Sequence, residues 1–184
     1  MVIENEKVYI DLPKTIAGTS LLTGMAVLVK GLVYLPASLA LAAVLLIVAE
    51  TDAVKRRIPN SFVMLMILPG ILLLITELYL GADLKWAIVT RIIGIFVLSV
   101  PLLLAAVITN GGVGGGDIKF IAASGFVLGA RRVAYAVFAG MCVASVFILA
   151  GGIYRFLAKR GPGCRRIPAG PFFAVGIWIV YLLF

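Results

Sequence analysis

The chain has 184 residues, of which 63% are hydrophobic and only 13% are charged, and its mean hydropathy is +1.19. Because a soluble domain is about half apolar and about a quarter charged, these values exclude an ordinary soluble protein and indicate an integral membrane protein. The net charge is +8, with no histidine and only two cysteines, Cys142 and Cys164. This composition removes the usual ligand sets of zinc, haem and iron–sulfur sites and any histidine-activated nucleophile.

Six apolar segments are predicted to cross the membrane, because a spanning helix needs about 20 apolar residues. They cover approximately residues 31–50, 61–80, 86–109, 117–129, 133–156 and 169–184. Residues 15–29 are also apolar but short, so they are predicted to form an interfacial or re-entrant helix, with a seventh span as the alternative. The sequence therefore predicts an all-α integral membrane protein, a polytopic bundle of about six transmembrane helices with an extra N-terminal helix. We divide it into an N-terminal segment, 1–30, and a membrane domain, 31–184.

The positive charges predict the orientation of this bundle in the lipid bilayer. Lysine and arginine cluster at residues 55–57 and 155–166, and Lys119 lies close to the loop after the third span. Six spans place these positions on one side, which the positive-inside rule makes the cytoplasm of a multi-pass protein in the cell membrane. Arg131 and Arg132, in an opposite loop, run against the rule. Topology accounts for most of the excess charge, so nucleic acid is not an expected partner.

Two acids, Asp52 and Asp117, are predicted to lie at the same end of the bundle, because Asp52 follows the first span and Asp117 opens the fourth. Two carboxylates in a partly dry site share a proton, which provides a base to activate water and an acid to protonate the scissile carbonyl oxygen or the leaving amine. Each also has an ordinary reading: Asp117 as a favourable acid at a helix N-terminus and Asp52 as a solvated interfacial charge. Glu50 is expected to be solvated rather than catalytic, and Arg91 to snorkel towards the outer interface.

The glycine-rich loop before Asp117, GGVGGG at residues 111–116, does not match a phosphate-binding loop. A Walker loop needs Gly-Lys-Ser/Thr where this chain has Gly-Asp-Ile, and the dinucleotide fingerprint lacks its third glycine. No nucleotide is therefore expected. The glycines are predicted to let Asp117 swing towards the membrane face, because glycine is conformationally permissive.

Three short motifs lie at the ends of these predicted spans. "GGGD" at Gly114–Asp117 fits the G-x-G-D motif of membrane aspartyl proteases. "D-x5-IPN" begins at Asp52 and ends at Ile58–Asn60, and "IPAGPFFAVG" occupies Ile167–Gly176. In this order they resemble the type IV prepilin peptidase family, and the resemblance covers about residues 45–176.

The resemblance implies an aspartic endopeptidase embedded in the membrane, with no metal and no cofactor. It would remove the short basic leader from prepilins or pilin-like precursors at the cytoplasmic face, and Asp52 and Asp117 would be its catalytic pair. Other matched positions are expected to bind substrate or support the motifs: Gly114, Gly116, Lys119, Pro59 and Asn60. For Lys119 the expected role is to steer substrate or to tune Asp117.

Longer bacterial members of the family carry an N-terminal region with paired C-x-x-C elements and N-methylate the new pilin terminus. This sequence has no C-x-x-C, so it resembles the short form found with tight-adherence (Flp-type) pili or the archaeal preflagellin peptidases, and methylation is not expected. Two other functions stay open. One is a proton-coupled transporter or channel subunit that uses the same acids as a relay, and the other is a non-catalytic assembly scaffold.

Overall fold

A computed structural model describes residues 12–56, 58–109, 114–157 and 168–184, and these ranges contain eight α-helices and no strand. In chain order the helices are α1 (Leu12–Lys30), α2 (Leu35–Lys55), α3 (Asn60–Leu65), α4 (Ile67–Tyr79), α5 (Leu84–Ile108), α6 (Gly115–Leu128), α7 (Ala130–Leu157) and α8 (Gly170–Leu183). The all-α prediction is confirmed. Three parts of the sequence discussed above lie outside the described residues: Gly111, Gly112 and Val113 of the glycine-rich loop, most of the basic loop at 155–166, and the acids of residues 1–11.

Four helical segments in the described part of the chain are long and apolar enough to cross a membrane. They are Leu32–Lys55, Asn60–Tyr79, Leu84–Ile108 and Ala130–Tyr154, which correspond to the first, second, third and fifth predicted spans. The fourth and sixth predicted spans are α6 and α8, with 14 residues each. At 1.5 Å per residue these two helices are about 21 Å long, less than the roughly 30 Å of a hydrocarbon core. The total of six spans therefore stays a prediction.

The second span is interrupted once. Helix α3 ends at Leu65 and α4 begins at Ile67, with the fully buried Met66 between them. Pro69, in the first turn of α4, has no N–H to bond the Leu65 carbonyl, and its ring crowds that carbonyl. The apolar segment predicted at residues 61–80 is therefore two helices in sequence.

The N-terminal helix α1 is continuous over 19 residues. At Gly31 the backbone has a φ of 92°, a left-handed conformation that favours glycine, and the chain turns there into α2. Helix α1 then packs along α2, with Gly18 so close that a Cβ would lie 2.9 Å from Leu46 Cδ1. This packing forms a helical hairpin. An interfacial or re-entrant placement of α1, and the domain division at residue 30, stay predictions.

Small residues bring the two short helices close to their long neighbours. Helix α6 crosses α5 at Gly125 and Gly94, and α8 crosses α7 at Gly176 and Gly140. A Cβ on Gly94, Gly125 or Gly176 would overlap backbone atoms of the facing helix. Such close backbone packing stabilises helix pairs in lipid, where burying apolar side chains gains little. It fixes α6 and α8 on α5 and α7.

Candidate active site

Asp52 lies in the last turn of α2 and is only 5% exposed. Its Oδ2 accepts a hydrogen bond of 2.7 Å from the backbone N–H of Gly170. Gly170 is the first residue of α8, so this N–H is one of the groups that a helix leaves unpaired at its positive end. The reading of Asp52 as a solvated interfacial charge is therefore wrong, because tertiary packing of α8 covers the carboxylate.

Gly170 leaves room for this contact only because it has no side chain. A Cβ at this position would lie 2.8 Å from both the Cβ and the Oδ2 of Asp52. Pro171 follows in the first turn of α8, where its missing N–H costs no helical hydrogen bond. The Gly-Pro pair therefore starts α8 directly against the end of α2.

Asp117 lies in the first turn of α6 and is half-buried. The Gly114 carbonyl accepts hydrogen bonds from the backbone N–H groups of Asp117, at 3.0 Å, and Ile118, at 3.3 Å. Asp117 lies outside the four long spans. Burial raises the pKa of its carboxyl group, and the negative charge of Asp52 raises that pKa further. Asp117 does have the helix N-terminal position of its ordinary reading. That position favours the charged form, so the raised pKa comes from burial and from Asp52 rather than from the helix end.

The motif glycines Gly114 and Gly116 provide room for neighbouring atoms and are not needed for an unusual backbone conformation. Neither has a positive φ, and Gly114 precedes α6 with a φ of −66°. A Cβ on Gly114 would lie 3.0 Å from Asp117 Oδ2, and a Cβ on Gly116 would lie 3.3 Å from the Cβ of Ile58. The predicted swing of Asp117 would depend mainly on residues 111–113, which are outside the described part of the chain.

The IPN motif packs against the start of α6. Ile58 is 8% exposed and lies against Gly116. Pro59 is extended, with φ −63° and ψ 142°, and precedes the first turn of α3. Asn60 Oδ1 then accepts a 3.0 Å hydrogen bond from Lys119 Nζ at an exposed position. Since Gly170 contacts Asp52, described residues of all three motifs meet at one end of the bundle.

A second cluster of charges, absent from the expectations, lies at the opposite end. Arg91 is 3% exposed, and its NH2 group lies 2.8 Å from Glu77 Oε2. The NH1 group of Arg91 donates hydrogen bonds to the backbone carbonyls of Phe126 and Val127. Arg132 binds the other Glu77 oxygen at 3.0 Å. The prediction that Arg91 snorkels to the outer interface is wrong, because its guanidinium finds partners inside the bundle. The sequence signal was the presence of Glu77 and Arg91 within apolar segments.

Glu50 also differs from its expected solvation. The residue is half-buried, and its Oε2 atom has neither solvent contact nor a hydrogen-bond partner among the described residues. It lies two positions before Asp52 on α2, and side chains two apart do not share a helix face. We therefore leave Glu50 outside the candidate pair.

Comparison with known proteins places this sequence in a family. Residues 39–149 match the sequence profile of the type IV leader peptidase family, a stretch that contains both Asp52 and Asp117. A curated relative, the prepilin leader peptidase/N-methyltransferase of Bacillus subtilis (strain 168), is 36% identical over 138 residues, which are 75% of this chain and 52% of the relative. The chain thus spans about half the length of the curated relative it matches. No solved structure matches it. With more than half of its length matched by the family profile, the chain belongs to the type IV leader peptidase family.

Proposed function

We propose that this chain is a membrane-embedded aspartic endopeptidase that removes the short basic leader from prepilin or pilin-like precursors. The observation that carries the proposal is that residues of all three motifs meet at the end of the bundle where Asp52 is buried against the start of α8. Asp117 is near enough for the charge of Asp52 to raise its pKa. Membership of the leader peptidase family supports it, as does the similarity to the Bacillus subtilis prepilin leader peptidase/N-methyltransferase. Our orientation from positive loops puts the pair at the cytoplasmic face of a multi-pass protein in the cell membrane.

The two carboxyl groups have different surroundings, which assigns their roles in the proposed reaction. Asp52 accepts the Gly170 N–H at the positive end of α8, a favourable place for a negative charge. The pKa of Asp117 is raised by burial and by the charge of Asp52, which favours Asp117 as the group that carries the shared proton. Asp52 is therefore the general base and Asp117 the general acid.

Hydrolysis then runs through a water molecule held between the two groups. Asp52 takes a proton from this water while the water oxygen bonds to the scissile carbonyl carbon, and Asp117 gives its proton to the carbonyl oxygen. The tetrahedral intermediate collapses when its C–N bond breaks. The leaving amine takes the proton from Asp52, and Asp117 recovers a proton from the hydroxyl group. No charge has to build up on the carbonyl oxygen.

The substrate must be bound where an extended peptide can reach the pair. We propose that the hydrophobic helix of the precursor lies in the bilayer against the bundle, with its leader at the mouth beside Asp52 and Asp117. Extended backbone needs hydrogen-bond partners at membrane depth, which the exposed backbone at Gly114, just before α6, can offer. The proposal covers cleavage alone, and the paired C-x-x-C elements of longer members are not in this sequence.

A cleavage assay tests the proposal. The full chain is produced in a membrane together with a tagged reporter, a short basic leader followed by a hydrophobic helix, and shortening is followed by gel shift. We expect cleavage by the wild type, and a rate about 10²–10⁴-fold lower for Asp52→Asn and for Asp117→Asn. Asp83→Asn is a matched control, because Asp83 is an exposed acid at the other end of the bundle.

Two outcomes would overturn the proposal. Wild-type rates in both aspartate variants would remove the pair from the reaction. An uncleaved reporter with the wild type, combined with proton-coupled transport that Asp117→Asn abolishes, would favour the relay function instead.

A further inference from the structure

A cavity of about 770 Å³ lies at the end of the bundle opposite Asp52 and Asp117. Its walls include Lys30 and Tyr34, which precede α2, and Leu128 and Gly129, at the end of α6. Asp52 lies in the last turn of α2 and Asp117 in the first turn of α6, so the cavity and the aspartate pair are separated by nearly the length of these helices. The cavity is within the size range of small-molecule sites.

The lining of this cavity is positively charged. Among the residues that the structure describes, four cationic side chains face two acids: Lys30, Arg91, Arg131 and Arg132 against Glu77 and Asp83. Both carboxylate oxygens of Glu77 already bind Arg91 and Arg132. The lining therefore keeps an excess of positive charge. Arg131 and Arg132 are the two cations that run against the positive-inside rule, and topology does not explain them.

Two of these cations are held in places where water reaches them poorly. Arg91 is 3% exposed, and its Nε atom is buried without a hydrogen-bond partner in the described ranges. Lys30 lies over the rings of Tyr34 and Tyr181, at 5.1 and 4.9 Å from their centroids. In the described part of the chain Lys30 has no ion pair. Burial lowers the pKa of Lys30, and the positive charge of Arg132 lowers it further.

The rest of the wall suits an amphipathic ligand. Apolar side chains such as Leu73 and Ile93 lie beside the charges. Trp86 and Tyr135 line the same cavity and are 70% and 49% exposed. Tryptophan and tyrosine are enriched where a membrane protein meets the headgroup region of the bilayer. The cavity therefore combines cationic side chains with exposed aromatic side chains of the kind found at a lipid interface.

We propose that this cavity binds the anionic phosphate headgroup of a membrane phospholipid from the leaflet opposite the aspartate pair. Basic pockets between transmembrane helices bind anionic headgroups, and arginine side chains suit phosphate oxygens. Arg131 and Lys30 form no ion pair with an acid in the described ranges, and Glu77 holds Arg91 and Arg132 in position.

Thermal unfolding of the purified full chain in a neutral detergent tests this assignment. Phosphatidylglycerol, added at about tenfold above its Kd, should raise the Tm by about 3–6 °C. Phosphatidylcholine and inorganic phosphate should leave the Tm unchanged within error. The Lys30→Gln/Arg131→Gln double variant should bind phosphatidylglycerol about tenfold more weakly or worse. Lys85→Gln is the matched control, since Lys85 is exposed at the same end but outside the cavity.

Three results would overturn the proposal. Equal Tm shifts with phosphatidylcholine would show that the lipid charge is not read, and equal shifts with inorganic phosphate would show that no lipid is needed. An unchanged affinity in the folded double variant, relative to Lys85→Gln, would place any lipid site elsewhere. If the double variant does not fold, the salt dependence of the wild-type protein still tests the proposal. Its phosphatidylglycerol shift must fall sharply at 1 M salt, and a salt-independent shift contradicts the proposal.

Discussion

The backbone N–H of Gly170 donates a 2.7 Å hydrogen bond to Oδ2 of Asp52. This bond joins the first residue of α8 to the last turn of α2, two elements far apart in the chain. It gives the two aspartates unequal surroundings, because Asp117 has no such helix terminus directed at it from another element among the described residues. The inequality is what separates a base from an acid in the proposed reaction.

Gly170→Ala should impair cleavage without removing an acid. The new Cβ would come within 2.8 Å of Asp52 Oδ2, so α8 has to move away and the hydrogen bond is lost. We expect kcat to fall about 10–100-fold, the range for a lost hydrogen bond to a charged group, with a smaller change in KM. Steady-state kinetics on the reporter measures both. A kcat equal to that of the wild type would show that the bond does not contribute.

The glycines before Asp117 offer a test with an internal control. Gly114→Ala and Gly116→Ala should slow cleavage, because their Cβ atoms would press on Asp117 Oδ2 and on Ile58. Gly115→Ala should not, because a Cβ there meets nothing within 4 Å. Rates are compared after folding is checked by the thermal transition. Equally slow cleavage in all three variants would indicate that the glycines act through the flexibility of the loop, and unchanged cleavage in all three would show that their lack of a side chain is not needed.

The raised pKa of Asp117 predicts how stability depends on pH. Its pKa in the folded protein lies above the ordinary 3.8, so the folded state binds more protons than the unfolded state between the two values. Stability from this group is present below the unfolded pKa and is lost as pH rises through the folded pKa. Asp117→Asn should therefore raise the Tm relative to wild type at neutral pH and lose this advantage near pH 3.8. A Tm advantage that does not vary with pH would mean that the ionised carboxylate carries no penalty.

Much of the site could be predicted from the sequence because the order of the membrane spans decides which residues lie at the same end of the bundle. Counting apolar segments puts Asp52 and Asp117 at one end, and in the structure the charge of Asp52 raises the pKa of Asp117. The contact between Gly170 and Asp52 could not be predicted, since it depends on how far α8 approaches α2. Gly170 belongs to the IPAGPFFAVG motif, but its contact with Asp52 is known only from the packing of the helices.

The charges of the opposite end were missed for a different physical reason. A hydropathy pattern treats each charged residue within its own segment and shows nothing of partners on other helices, so it predicts that the Arg91 side chain extends to the aqueous interface. In the bundle its partners come from two neighbouring elements: Glu77 on α4 and two carbonyls at the end of α6. The number of membrane spans could not be predicted either. Helices α6 and α8 are too short to be recognised as spans by length, and what fixes them in the bundle is their packing on α5 and α7.

The hydrogen bond between Lys119 and Asn60 points to a structural role for the lysine, beside the steering of substrate and the tuning of Asp117 expected from the sequence. If Lys119 acts by holding the IPN segment against α6, then Lys119→Gln and Asn60→Ala should each slow cleavage about 2–10-fold. The double variant should then be no slower than the worse single variant. Additive losses, with a KM for Lys119→Gln that no longer depends on ionic strength, would favour steering of substrate charge instead.

Breaking the buried pair at the opposite end should cost stability and leave the chemistry intact. Glu77→Gln leaves Arg91, which is 3% exposed, without its carboxylate, and we expect unfolding to become easier by about 3–5 kcal/mol. Replacing both residues, as Glu77→Gln/Arg91→Gln, should recover part of this loss because no unpaired charge stays buried. Lys85→Gln, an exposed change on the same side of the bundle, should alter stability by less than about 0.5 kcal/mol. Denaturant unfolding in detergent measures all three. If the double variant is as unstable as the sum of its single variants, the two side chains act independently and the pair is not what holds α4, α5 and α6 together.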